Sequence, residues 1–128
     1  MTTGCSASVG RTPRTEPPRR SLNRAACLEL LAPGGHGRVA ATMRAVPVII
    51  PVTFTLFGED IMISPGAQPD MARAVAGAVV AFETDAIGPD GCAVWDVHVT
   101  GVARTLTPDT EPRRFRLSSE VISGWQTT

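Results

Sequence analysis

The chain has 128 residues, 43% of them hydrophobic and 19% charged, which fits one globular domain: a single core usually occupies about 100 to 150 residues, so one folded domain and no second is expected over this length. Its twelve basic residues, all Arg, are cancelled by twelve acids, so no basic excess exists to displace counterions from phosphates, and nucleic-acid binding is set aside. No run approaches the roughly 18 apolar residues of a membrane span, and no apolar signal core precedes a cleavage site, so a soluble, cytoplasmic protein without membrane contacts is expected.

Residues 1–20 combine Thr, Ser, Gly and Pro with Arg11, Arg14, Arg19 and Arg20 and almost nothing apolar. Such a composition cannot offset the entropy of ordering, and a disordered tail is expected there, with the folded domain over residues 21–128. From Ser21 the residues Leu22, Ala25, Ala26, Leu30 and Leu31 recur at helical spacing, Ser21 reads as the N-cap, and Pro33-Gly34-Gly35 stops the run. This predicts one short amphipathic helix. Gly37 to Met43 and Val46 to Phe57 read as two strands with a tight connection at Arg44 and Ala45. Pro47 and Pro51 lie inside the second. Proline cannot donate to a ladder, so that strand needs an edge or a bulge, and an edge offers backbone groups to a ligand.

Ile61 to Ser64 reads as a short strand, Pro65-Gly66-Ala67-Gln68-Pro69 as a loop, and Asp70 to Ala76 as a second short helix with an acid in its first turn. Ala78 to Thr84 and Ala93 to Leu106 form a hairpin about the turn Ile87 to Gly91. Arg113 to Leu117 is a last strand, and Ser119 to Trp125 closes the chain. Six strands and two short helices, mainly antiparallel, predict a mainly β fold built as a small barrel.

The order of these elements and their residues resemble the FMN-binding split-barrel family that includes pyridoxamine 5'-phosphate oxidase, over Leu28 to Trp125. The strings that carry the resemblance are the helix Cys27 to Ala32, Gly37-Arg38-Val39-Ala40, the paired-proline strand Val46 to Phe54, Ala78 to Glu83, and Trp95 to Ala103. No one string is specific; their order and spacing are. The resemblance implies a six-stranded antiparallel split β-barrel with two short helices. It also implies a homodimer with the flavin at the interface, FMN as cofactor, and oxidoreductase chemistry on a small-molecule substrate. The deazaflavin F420 is the alternative cofactor, in keeping with a composition that has Arg and no Lys.

Residue by residue, Pro51-Val52-Thr53-Phe54 is similar to the family strand whose free amides meet the polar edge of the flavin ring. Ile63, Ser64, Gly66 and Gln68 fall in the strand-to-helix segment that meets the FMN phosphate. Trp95 falls on a strand that walls the site. The chain departs from the pattern in carrying Ser64 where Arg is common and Asp70 where Lys is common. Each missing charge-assisted bond is worth about 1.5 to 3 kcal/mol. Arg38, Arg44 and Arg73 are the cations available to compensate, and the alternative function is a catalytically inactive ligand-binding module that has lost the flavin phosphate contacts.

The remaining motifs are read as structural. Three cysteines without a CxxC pair or a His at ligand spacing imply no metal site and no disulfide framework, with Cys27 and Cys92 as reduced core residues. His98 shares a strand face with Asp96, a pairing that would orient it. Glu83 and Asp85 read as solvated acids beside a turn. The serines have no adjacent base, so acyl transfer is not supported.

Overall fold

The structure, a computed structural model, describes residues 18–64, 73–106 and 114–128. Asn23, not Ser21, caps the first helix: its side-chain oxygen accepts the Ala26 N–H at 2.8 Å, and α1 runs Arg24–Leu31. Ser21 instead ends a strand. β1, Arg19–Ser21, pairs antiparallel with the last strand, Arg19 opposite Thr127 and Ser21 opposite Trp125. Arg19 and Arg20, placed in the tail by composition, are therefore part of the sheet. Edge pairing is made by the backbone and asks nothing of side-chain polarity.

Two two-residue connections set the register of the next three strands, β2 (Gly35–Met43), β3 (Val46–Phe57) and β4 (Asp60–Ser64). Arg44 and Ala45 take φ of 51° and 65°, as a type I′ hairpin turn requires, at some steric cost to residues that carry a Cβ. Met43 opposite Val46 closes one hairpin, and Phe57 opposite Asp60 closes the other. Antiparallel alternation then turns the backbone polar groups of even-numbered β3 residues toward β2 and those of odd-numbered ones away from it. Pro47 and Pro51 are odd-numbered. Their proton-less nitrogens face a side where, among the described residues, β3 has no neighbour, since β4 pairs only with Thr53 to Phe57.

The second half of the chain supplies β5 (Val79–Ile87), β6 (Ala93–Thr105), β7 (Phe115–Leu117) and β8 (Val121–Thr127). The order β6-β5-β2-β3-β4-β7, with β7 pairing back to β6, closes a six-stranded antiparallel barrel. β8 and β1 continue outward from β6. One edge of β6 therefore meets two strands in succession, β8 along Trp95 to Thr100 and β7 along Ala103 to Thr105. Gly101 sits at this fork. A Cβ there would land on the carbonyl oxygen of Ser118, because the chain crossing from β7 to β8 passes over it, fixed by the Val102 N–H to Ser118 Oγ at 3.1 Å.

Strand alternation fills the barrel. Val39, Ile50, Ile61, Phe82, Val97, Val99, Phe115 and Leu117 are fully buried, and Cys27 and Leu31 of α1 join the same core. Phe54 and Phe82 meet edge to face with centroids 4.9 Å apart. The second helix is described at residues 73–75. No helix among the described residues is long and apolar enough to cross a membrane.

Candidate functional site

On the outside of the barrel, β3, β4 and the approach to β7 border a pocket of about 290 Å³, lined by Thr53, Phe54, Thr55, Met62, Ile63, Ser64 and Arg114. The ladder explains the set. Thr53 stands opposite Ser64, Phe54 opposite Ile63 and Thr55 opposite Met62, with Thr53 and Thr55 on the outer face of β3. Continuing the β4–β7 register one step past Ile63 and Phe115 brings Arg114 opposite Ser64. The Leu106 N–H holds the Arg114 carbonyl at 2.9 Å.

Four residues singled out in the sequence, Thr53, Phe54, Ile63 and Ser64, thus come together at one pocket. Pro51 lies on the same outer face, two residues along β3, while Val52 is buried in the core. The amides of this segment are engaged: Val52 and Phe54 face β2 opposite Gly37 and Gly35, and Thr53 faces Ser64. Side chains, more than free amides, are what the site presents. Trp95 does not line this pocket; it packs against the core from β6, opposite Ala86 and Gln126. Gly66, Gln68 and Asp70 lie outside the described residues. Arg114 had no sequence signal, because its place beside Ser64 comes from the pairing of two strands far apart in the chain.

Among the described residues, further arginines stand beside the pocket. Arg104 of β6 stands directly opposite Arg116 of β7 on the outer face next to Arg114. Arg116 pairs with Asp60 at 2.7 Å and covers the Phe57 ring at 5.5 Å. The cations expected to serve this region from elsewhere do not reach it. Arg38 is held by Glu83 and, at 3.1 Å, by Asp85, and the bond to Glu83 raises its pKa further. Arg44 and Arg73 line a different pocket of about 400 Å³ with Thr42, Met43 and Ala74. That pocket is at the β2–β3 turn, roughly 24 Å along β3 from Thr53 at ~3.4 Å per residue.

A charged row crosses the outer face of the sheet beside the pocket: Pro51, Arg38, Glu83, His98 and Ser123 are successive partners across β3, β2, β5, β6 and β8. Glu83 and Asp85 are thus partners of Arg38 rather than solvated turn acids. His98 Nε2 lies 2.6 Å from Asp96 Oδ1, as the shared strand face suggested. That oxygen is shut off from solvent and receives no aligned hydrogen bond among the described residues. Burial raises the Asp96 pKa; His98 works against the rise, and Glu83 and Asp85 add to it. Glu83, Asp96 and His98 bring one potential ligand atom each within 4.8 Å of one another, with Arg38 already bound to Glu83. Cys27 is free, buried and pushed up in pKa by burial, which makes it an inert core thiol. Cys92 is disulfide-bonded, against the expectation of a reduced cysteine, because proximity in space and not spacing in sequence decides which thiols meet.

Comparison with known proteins places this geometry in a family. The family description "pyridoxamine 5'-phosphate oxidase" matches residues 23–127. An uncharacterized protein of Mycobacterium tuberculosis is 32% identical over 100 residues, 74% of this chain and 66% of that protein. Among solved structures, an FAD binding protein from Mycobacterium smegmatis superposes with a TM-score of 0.73 at 24% identity, covering 87% of this chain and 100% of that one. An FAD-binding protein from Mesorhizobium loti gives 0.69 at 19%, covering 88% and 98%. At these identities the two structures share the fold.

Proposed function

The chain belongs to the pyridoxamine 5'-phosphate oxidase family, and from that premise we propose that it binds a flavin at the Thr53–Ser64–Arg114 pocket and serves as an FMN-dependent oxidoreductase acting on a small molecule. The observation that carries this reading is the convergence of Thr53, Phe54, Ile63 and Ser64 on one outer pocket, the residues for which the resemblance implied flavin contact. The donor set fits the group. A flavin is a flat apolar ring with a polar edge and an anionic tail, and the pocket offers the outward side chain of Met62, the hydroxyls of Thr53, Thr55 and Ser64, and Arg114. When bound, the flavin supplies the hydride chemistry. The chain's own residues orient it, donate hydrogen bonds and keep water off one face. The flavin-binding names of the similar structures support a flavin in general, with F420 as the alternative to FMN.

The same reading makes the protein a cytoplasmic homodimer. At about 290 Å³ the pocket is at the small end of the ~300 to 1,000 Å³ that ligand sites usually enclose, so a second chain completes it. The outer face of the sheet is suited to that. Ile49, Ala40, Ala81, Thr100 and Val121 form one unbroken row across five strands, with Ile49 and Val79 each 70% exposed. A patch of this kind marks a protein interface. The alternative, an inactive binding module, draws on the hydroxyl at Ser64 in place of a cation.

The deciding experiment is the visible spectrum of the purified protein, titrated with FMN while fluorescence quenching is followed. A yellow protein or low-micromolar binding supports the flavin reading. A colourless protein that ignores millimolar FMN removes it. Sedimentation of Val79→Asp tests the dimer: halving of the mass is expected, and an unchanged mass refutes this face as the interface.

A further inference from the structure

We infer that Glu83, Asp96 and His98 form a site for a divalent transition-metal ion of the zinc class on the outer face of the sheet. The inference goes beyond the flavin reading and does not depend on it: the three ligands stand on β5 and β6, and none of them lines the Thr53 pocket. The sheet itself builds the triad. Glu83 and His98 are direct partners across the β5–β6 ladder, and Asp96 lies two residues back along β6, where alternation returns its side chain to the face of His98. One ligand atom from each then falls within 4.8 Å of the others. Ligand atoms held about 2.0 to 2.2 Å from one zinc ion lie within roughly 4.4 Å of one another, so side-chain rotation closes the site without moving the backbone.

Three observations point to an ion. Asp96 Oδ1 is sealed from solvent and receives no aligned hydrogen bond among the described residues, although His98 Nε2 lies 2.6 Å away. A buried carboxylate oxygen left this way is costly, and a cation drawing both lone pairs to itself removes the cost. Glu83 is already oriented: both bonds it accepts from Arg38 end on Oε1, which leaves Oε2 for the ion, and Arg38 is steadied in turn by Asp85 at 3.1 Å. Metal-binding carboxylates are commonly held by such a hydrogen-bonded partner. The charges do not cancel as they stand. Glu83, Asp85 and Asp96 face Arg38 and, among the described residues, no second guanidinium, so with His98 neutral the group lacks the charge a divalent ion carries. An imidazole with two carboxylates favours zinc or a neighbouring transition metal over magnesium or calcium, which take oxygen ligands. Three protein ligands leave a position open to water or to a substrate oxygen.

The test is a calorimetric titration of Zn²⁺ into the full-length protein, stripped with a chelator, and into its Glu83→Gln, Asp96→Asn and His98→Gln variants. All three positions are on the outer face and the replacements are near-isosteric, so folding is expected, and circular dichroism checks it. The expected result is one ion per chain with micromolar or tighter affinity, weakened more than about 10-fold in each variant, since loss even of a ligand's supporting partner costs that much. Zn²⁺ should also raise the melting temperature of the parent and leave that of Asp96→Asn unchanged. X-ray absorption of the zinc-loaded parent should show nitrogen and oxygen neighbours at about 2.0 to 2.2 Å and no sulfur at about 2.3 Å. A parent that ignores millimolar Zn²⁺, any of the three variants binding as well as the parent, or a sulfur neighbour overturns the inference. No flavin enters these measurements, so their failure leaves the flavin reading where the FMN titration puts it.

Discussion

The two halves of β3 do different work. At Thr53 and Phe54 the strand has a neighbour on each side, β2 and β4, and from Thr55 to Phe57 it pairs with β4; from Val46 to Val52 it has, among the described residues, only β2. The closed half turns Phe54 into the core and builds the pocket wall on its outer side. The open half carries both prolines and exposes Ile49. One strand thus serves as scaffold at one end and as available surface at the other, and Pro51, next to Thr53, marks the changeover.

Removing the inward anchor of the closed half should have the largest effect. Phe54→Ala deletes a buried ring that packs edge to face on Phe82, and a loss of about 3 to 5 kcal/mol is expected in urea unfolding. Next comes Thr55→Pro, which removes a donor facing β4 opposite Met62. It is expected to cost on the order of 3 kcal/mol through the lost bond and the unpaired group left behind. If Thr55→Pro were as well tolerated as the native Pro51, the two halves would not differ in pairing. Pro47→Ala in the open half should cost only about 0.4 to 1 kcal/mol, through the freer unfolded chain.

The charged row at the changeover gives a further, pH-dependent contrast. Asp96 has its pKa raised above its ordinary 3.8, chiefly by burial. Between the ordinary and the raised value the folded chain therefore binds more protons than the unfolded one, and this group's contribution to stability falls as pH rises through that window. Asp96→Asn removes the effect. The variant is expected to be more stable than the parent at neutral pH, by less than about 1 kcal/mol, and to match it once pH drops below 3.8. A difference that grew on acidification would show that the His98 contact, and not burial, dominates.

The barrel was legible because β-strands announce themselves locally. The Val46–Phe57 strand, its two-residue turn and its prolines followed from alternation and from the missing proline N–H, and the structure returns the same limits. Half of the pocket was legible for a related reason: Thr53, Phe54, Ile63 and Ser64 sit on two strands joined by a hairpin, so adjacency in sequence became adjacency in space. The helix cap was misplaced at Ser21 because Asn23, a cap of equal strength, follows two residues later and the backbone of Ser21 is needed by β8.

What the sequence by itself determined, then, was which segments are strands, which of their faces point inward, and where a strand must lie open. The tertiary structure decided what depends on pairing between distant segments. It closed β7 onto β6 and forked that edge at Gly101. It committed Arg38 to two carboxylates, packed Trp95 against the core, and brought Arg114 to the edge of Ser64. Local pattern carries the direction of a side chain relative to its own strand. Which charge it will meet is fixed only when the ring of strands closes.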